Sequence, residues 1–100
     1  MALLCPDLLF GSKVEGALRA AGHEVLRGDE QADLLVVDLT ADVDLRLEAV
    51  RAAEVPTLAF YSHVEQDVRR RAEEAGITRV VPRSRMAREG AALVEGLLPA

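Results

Sequence analysis

The segment ADLLVVD (32–38) constrains the fold of this 100-residue chain more strongly than any other stretch. Residues 34–37 are all apolar and run without interruption into Asp38. A strand that is apolar at every position buries both faces, as central strands do in a parallel sheet covered by helices. Because parallel strands need helical crossovers between them, the segment predicts an α/β domain.

Strand-like and helix-like segments alternate along the rest of the chain. Apolar residues recur at helical spacing in four segments, which are 8–21, 43–53, 62–75 and 84–97. Short apolar runs predict four further strands, at 3–5, 23–26, 57–61 and 79–81. Gly22 and Gly76 follow helical segments and predict their C-terminal caps. We therefore expect residues 1–100 to form a single α/β domain with a parallel sheet.

The connection between the second and third predicted strands is unusually short. Only residues 27–32 separate the two strands, whereas a helical crossover usually needs a dozen residues or more. Six extended residues reach ~20 Å at ~3.3 Å per residue, barely enough to return along a short strand. We expect the helix between them to be missing or reduced to one turn, or the second strand to be irregular.

Composition narrows the class of function. The net charge of −5 and the pI near 5.0 disfavour direct binding to nucleic acid, which needs clustered positive charge. No apolar run is long enough to predict a membrane span or a secretory signal. Cys5 is the single cysteine and is expected to be buried in the core. Without an internal disulfide, a reducing cytoplasm is the predicted location.

The order of polar residues after the predicted strands resembles the receiver domain of bacterial response regulators. ADLLVVD places Asp38 where receivers carry their phosphoacceptor aspartate. Asp7 stands in place of one of the two acids that follow the first strand, and Arg83 in place of the lysine after the fifth. Receivers carry Thr or Ser after the fourth strand, where this chain has Tyr61 or Ser62, and spacing favours Tyr61.

The resemblance covers roughly residues 3–98, and HVEQDVRRRAEEAG (63–76) is similar to the fourth helix of a receiver. It implies a three-layer α/β/α, flavodoxin-like fold with a five-stranded parallel sheet in the order 2-1-3-4-5 and with helix 2 missing or reduced. In such sheets, ligands bind beyond the carboxyl ends of the strands. The candidate binding residues at that edge are Asp7, Asp38, Thr40, Ser62, His63, Arg83 and Ser84.

Several departures from the receiver pattern favour a pseudo-receiver. Pro6 replaces one acid of the metal-binding pair, and Arg83 replaces the lysine. We expect Asp38 to be held by Arg83 in an ion pair, or by the loop at Thr40. The leading hypothesis is a non-enzymatic signalling or protein-interaction module that needs no cofactor. The resemblance implies a protein partner at the last helices and the fifth strand, and a homodimer is compatible with it.

Two alternatives remain open. In a genuine receiver, Asp38 is the phosphoacceptor, and Asp7 and Asp38 hold Mg²⁺ through their carboxylates. In a small ligand- or anion-binding protein, Arg83 and helix N-termini bind a phosphate or carboxylate.

Overall fold

The computed structural model describes residues 2–5, 8–27, 33–40, 42–62 and 65–98, with backbone alone at 4, 8, 9, 27 and 53. Predictions for Pro6, Asp7 and His63 lie outside these residues. The elements follow one another as β1 (Ala2–Leu4), α1 (Leu8–Ala20), β2 (Leu26–Arg27), β3 (Leu35–Asp38), α2 (Val43–Ala53), β4 (Thr57–Tyr61), α3 (Gln66–Glu74), β5 (Arg79–Pro82) and α4 (Arg83–Leu97).

All neighbouring strands are parallel, and their order is β2-β1-β3-β4-β5. The α/β class and the parallel sheet are therefore confirmed. Four strands of three to five residues make up most of the sheet. The predicted second strand, 23–26, is present only as two residues, Leu26–Arg27, at the edge beside β1. Within the described ranges, no helix lies between β2 and β3, and residues 28–32 fall outside them.

The core lies in two clusters on opposite faces of the sheet. Successive side chains of a strand point to opposite faces, and Leu58 and Phe60 belong to one cluster while Ala59 and Tyr61 belong to the other. Helices α1 and α4 close the first cluster, and α2 and α3 close the second. Each fully buried large side chain contributes roughly 1.5–3 kcal/mol, so this double-sided burial holds the strand ends in place.

The two predicted C-terminal caps are confirmed. Gly22 and Gly76 have φ angles of +93° and +80°, a left-handed conformation that glycine adopts without steric cost. The predicted helix starts at Ser62 and Ser84 are wrong. Helix α3 begins at Gln66, after Glu65, which makes no side-chain cap bond. Helix α4 begins at Arg83, directly after the strand residue Pro82, which is its N-cap and has an extended backbone.

Of the helices in the described ranges, none combines the length and the apolar character that crossing a membrane requires.

Candidate functional site

Asp38 ends β3 in the middle of the sheet, in register with Phe60 of β4. Asp38 is 3% exposed and therefore buried. The Thr40 amide donates to its Oδ1 at 2.8 Å, and the Thr40 hydroxyl donates to the same oxygen at 2.6 Å. Aspartate commonly accepts hydrogen bonds from the residue two positions on, which turns the chain at the end of a strand. Thr40 therefore holds Asp38. This is one of the two arrangements that the sequence predicted, the other being an ion pair with Arg83.

The second oxygen of Asp38 faces the end of β1. The Cys5 thiol donates to Oδ2 with a sulfur–oxygen distance of 3.4 Å. Cys5 is 4% exposed, so its predicted burial is confirmed. A thiol is a weak donor, but its position beside the carboxylate gives both Asp38 oxygens a partner within the protein.

A pocket of about 410 Å³ opens at the carboxyl edge of the sheet, next to Asp38. Four of the predicted binding residues line it, since β3, β4 and β5 all end at this edge. They are Thr40, Ser62, Arg83 and Ser84. The pocket also contains three residues that the sequence analysis did not include, namely Phe10, Glu65 and Ala87.

Arg83 lies against the aromatic wall of this pocket. Its guanidinium carbon is 4.1 Å from the centre of the Phe10 ring, a cation–π arrangement. The Phe10 and Phe60 rings are 5.2 Å apart at an interplanar angle of 53°, which is a favourable geometry for aromatic pairs. Arginine lies flat on an aromatic ring because its guanidinium is planar and weakly hydrated.

The predicted ion pair between Arg83 and Asp38 is not formed. Among the described residues, the hydrogen-bond partners of Asp38 are Thr40 and Cys5. The physical reason is that the Asp38 carboxylate is buried and already accepts three hydrogen bonds, while the Arg83 guanidinium is placed by Phe10 at the pocket wall.

The structure also separates the two residues matched to the Thr or Ser of a receiver. Tyr61 is 2% exposed and packs in the α2–α3 core. Ser62, one position later, lines the pocket. Spacing along the sequence favoured Tyr61, but the alternation of the strand turns that side chain toward the opposite face from Phe60.

The other candidate residues stay predictions. Asp7 and His63 lie outside the described residues. Because Asp7 is one member of the proposed Mg²⁺ pair, that pair stays a prediction. Within the ranges that the structure describes, no three His, Cys, Asp or Glu side chains are grouped so that they could hold a metal ion.

Phe10 is the most important pocket residue that was absent from the predicted binding residues. The sequence did carry a signal for it, because Phe10 starts the apolar face of the first helix. That periodicity assigns it to the core, and it does pack against the α1–α4 core cluster. Its second role, as the platform for Arg83, depends on α1 and α4 lying side by side, which periodicity alone does not determine.

Comparison with protein-family models gave no match, and comparison with curated protein sequences gave no significant similarity. The resemblance to receivers therefore depends on the residues of this chain and on their arrangement.

Proposed function

We propose that this chain is a flavodoxin-like pseudo-receiver: a non-enzymatic cytoplasmic module that acts through protein contacts and does not depend on phosphorylation of Asp38. The observation that carries this proposal is the state of Asp38. It is 3% exposed, and both of its carboxylate oxygens accept hydrogen bonds from the protein.

A phosphoacceptor must present an oxygen to an incoming phosphorus atom and must be reached by the phosphodonor. For Asp38, attack through Oδ1 requires loss of two bonds from Thr40, while Oδ2 accepts a bond from the buried Cys5 thiol. Each bond from Thr40 to the charged acceptor contributes about 1.5–3 kcal/mol, whereas the thiol is a weak donor. The arrangement therefore favours one permanent state over a phosphorylation switch.

The surface offered to a partner lies on α4 and β5. A groove of about 280 Å³ there is lined by charged residues, Arg79, Arg85 and Glu89, and by the small residues Ala92 and Gly96. Small residues admit a close approach, and charged ones provide specificity. This surface suits a protein partner or a second copy of the chain.

The proposal predicts that Asp38 is not phosphorylated. The purified chain is incubated with Mg²⁺ and acetyl phosphate, or with beryllofluoride, and followed by intact-mass spectrometry and by NMR. We expect no adduct and no shift of the Asp38 or Thr40 amides, because the carboxylate is already bound. Stoichiometric modification that disappears in Asp38→Asn would instead establish Asp38 as the phosphoacceptor of a Mg²⁺-dependent receiver.

A second candidate function is favoured by the pocket itself. Two hydroxyl groups, from Ser62 and Ser84, line it together with the Arg83 guanidinium, a set of donors suited to a phosphate or carboxylate. The first turn of α4 contains no acidic residue, so its helix dipole also favours an anion. Glu65 is the opposing charge in the lining.

This candidate predicts that phosphate-bearing small molecules stabilise the chain through Arg83. Thermal unfolding is measured with and without a panel of nucleotides and sugar phosphates. We expect a rise in Tm that is lost in Arg83→Gln but kept in Arg88→Gln, whose side chain is 74% exposed on the same helix. If no compound raises Tm, or if both variants respond like the parent, the pocket does not bind anions.

A further inference from the structure

Glu65 brings a carboxylate to the pocket at the carboxyl edge of the sheet, called the Arg83 pocket below. Glu65 is the N-cap residue of α3, but its side chain makes no cap bond. Its amide donates to the Ser62 carbonyl at 2.9 Å, which fixes its backbone beside the pocket. Among the salt bridges within the described ranges, none includes Glu65. A half-buried carboxylate is unfavourable without a cation, so Glu65 is available to a ligand.

Arg83 brings the opposite charge to the same pocket. Arg83 and Glu65 both line it and are both half-buried, yet no salt bridge in the described part of the chain joins the two. In the groove of α4 and β5, by contrast, Arg85 and Glu89 lie 3.2 Å apart and neutralise each other. Opposite charges that share a pocket without contact leave space for a ligand that carries both charges.

The guanidinium of Arg83 can bind a carboxylate while it contacts Phe10. Its carbon is 4.1 Å from the centre of the Phe10 ring, so the ring covers the face of the guanidinium. Hydrogen bonds from a guanidinium lie in its plane, where paired N–H groups match the two oxygens of a carboxylate. The ring and a carboxylate therefore use different sides of the same group. Ser62 and Ser84 line the pocket as well and offer hydroxyl donors.

The size and the charge balance of the pocket suit a small ligand without net charge. Its volume of about 410 Å³ is in the lower part of the range for small-molecule sites, roughly 300–1,000 Å³. The lining residues that the structure describes carry one positive side chain, Arg83, and one negative one, Glu65. A phosphate dianion is repelled by Glu65, whereas a zwitterion meets an opposite charge at each end. Phe10 and Ala87 add an apolar wall.

We propose that the Arg83 pocket binds a small amino acid in its zwitterionic form, with the ligand carboxylate at Arg83 and the ligand ammonium at Glu65. The carbon atoms between the two charges lie along Phe10 and Ala87. This proposal rests on the second candidate function, in which Arg83 binds an anion, and it adds the class of ligand. Because both ends of the ligand are recognised, an amino acid binds more tightly than a simple carboxylate or a simple amine.

The test is an NMR titration of the whole chain with glycine, β-alanine, γ-aminobutyrate and δ-aminovalerate, whose two charges lie increasingly far apart. Each is compared, at constant ionic strength, with the carboxylate and the amine of matching length, such as butyrate and butylamine for γ-aminobutyrate. We expect saturable shifts of the Ser62, Glu65 and Ser84 amides. At least one amino acid is expected to bind roughly tenfold more tightly than its matched carboxylate.

Two variants separate the contributions of the two charges. In Glu65→Gln, we expect the preference for an amino acid over its matched carboxylate to disappear. In Arg83→Gln, we expect both ligands to bind roughly tenfold more weakly or worse. The control is Glu74→Gln, the same substitution at the exposed last residue of α3, and it is expected to bind like the parent. Since the Glu65 side chain makes no cap bond, Glu65→Gln is also expected to unfold at the Tm of the parent.

The outcomes distinguish this proposal from the function on which it rests. If amino acids bind no more tightly than matched carboxylates or amines, or if Glu65→Gln keeps the preference, the amino acid proposal is overturned. Anion binding remains supported in that case if the carboxylates bind and Arg83→Gln weakens them. A clear fall in the Tm of Glu65→Gln would show that the fold already uses this carboxylate, which also contradicts the proposal. If neither these compounds nor phosphates bind through Arg83, both proposals for the pocket fail.

Discussion

Thr40 is the residue that decides the state of Asp38. Its amide and its hydroxyl both donate to Oδ1, at 2.8 and 2.6 Å. A hydroxyl donor to a buried carboxylate is a charge-assisted bond, which is shorter and stronger than a neutral one. The aspartate therefore turns the chain out of β3.

Replacement of Thr40 by valine tests this role. Thr40→Val deletes the hydroxyl donor and keeps the shape and the amide, so we expect it to lower the free energy of unfolding by about 1.5–3 kcal/mol. Urea denaturation measures the change. The matched control is Thr57→Val, which removes a neutral bond from the Thr57 hydroxyl to the Val55 carbonyl and is expected to cost about 0.5–1.5 kcal/mol. An equal or smaller effect at Thr40 would contradict the role of its hydroxyl.

At the scale of elements, helix ends and strand ends together build the pocket. Thr40 and Ser62 follow β3 and β4, while Arg83 and Ser84 begin α4 directly after β5. Helix α1 contributes Phe10 from the side. The length of each strand thus determines which side chain emerges at the edge, and a shift of one residue exchanges Ser62 for the buried Tyr61.

Helix α1 allows a prediction about two glycines, one inside the helix and one directly after its end. Gly16 lies inside the helix, is exposed, and has no atom within 4 Å of an added Cβ. Gly16→Ala is therefore expected to stabilise the chain by about 0.5–1 kcal/mol. Gly22 has equal space but a φ of +93°, so Gly22→Ala is expected to destabilise it by about 1–2 kcal/mol.

Denaturant unfolding of Gly16→Ala and Gly22→Ala measures both effects. Because neither alanine meets a neighbouring atom, the opposite signs report backbone conformation and not packing. Two changes of the same sign would show that this explanation of the α1 terminus is wrong.

At the scale of the whole molecule, the sheet divides the core into two clusters, one on each face. One face is closed by α1 and α4, the other by α2 and α3. The pocket with Arg83 is lined by residues of α1 and α4 together with the loops that follow β3 and β4. Arg46 belongs to α2 on the other face.

Local sequence patterns determined many of the strands, helices and helix ends of this protein. Unbroken apolar runs predicted β3 and β4, helical spacing predicted α1 and α2, and Gly22 and Gly76 marked helix ends. The positions of Thr40, Ser62, Arg83 and Ser84 at one edge also followed from the sequence, because parallel strands end on the same side of a sheet. These features depend on periodicity and backbone conformation, which are local properties of the chain.

Only the tertiary structure decided which of those side chains interact. The sequence left open whether Asp38 is held by Arg83 or by Thr40, and the answer depends on where Phe10 lies relative to α4. It likewise did not reveal that Arg46 is largely buried with no acceptor for its Nε, since an arginine at helical spacing is expected at the surface. Contacts between residues distant in sequence are set by how the elements pack, and one strand position or one helix turn changes them.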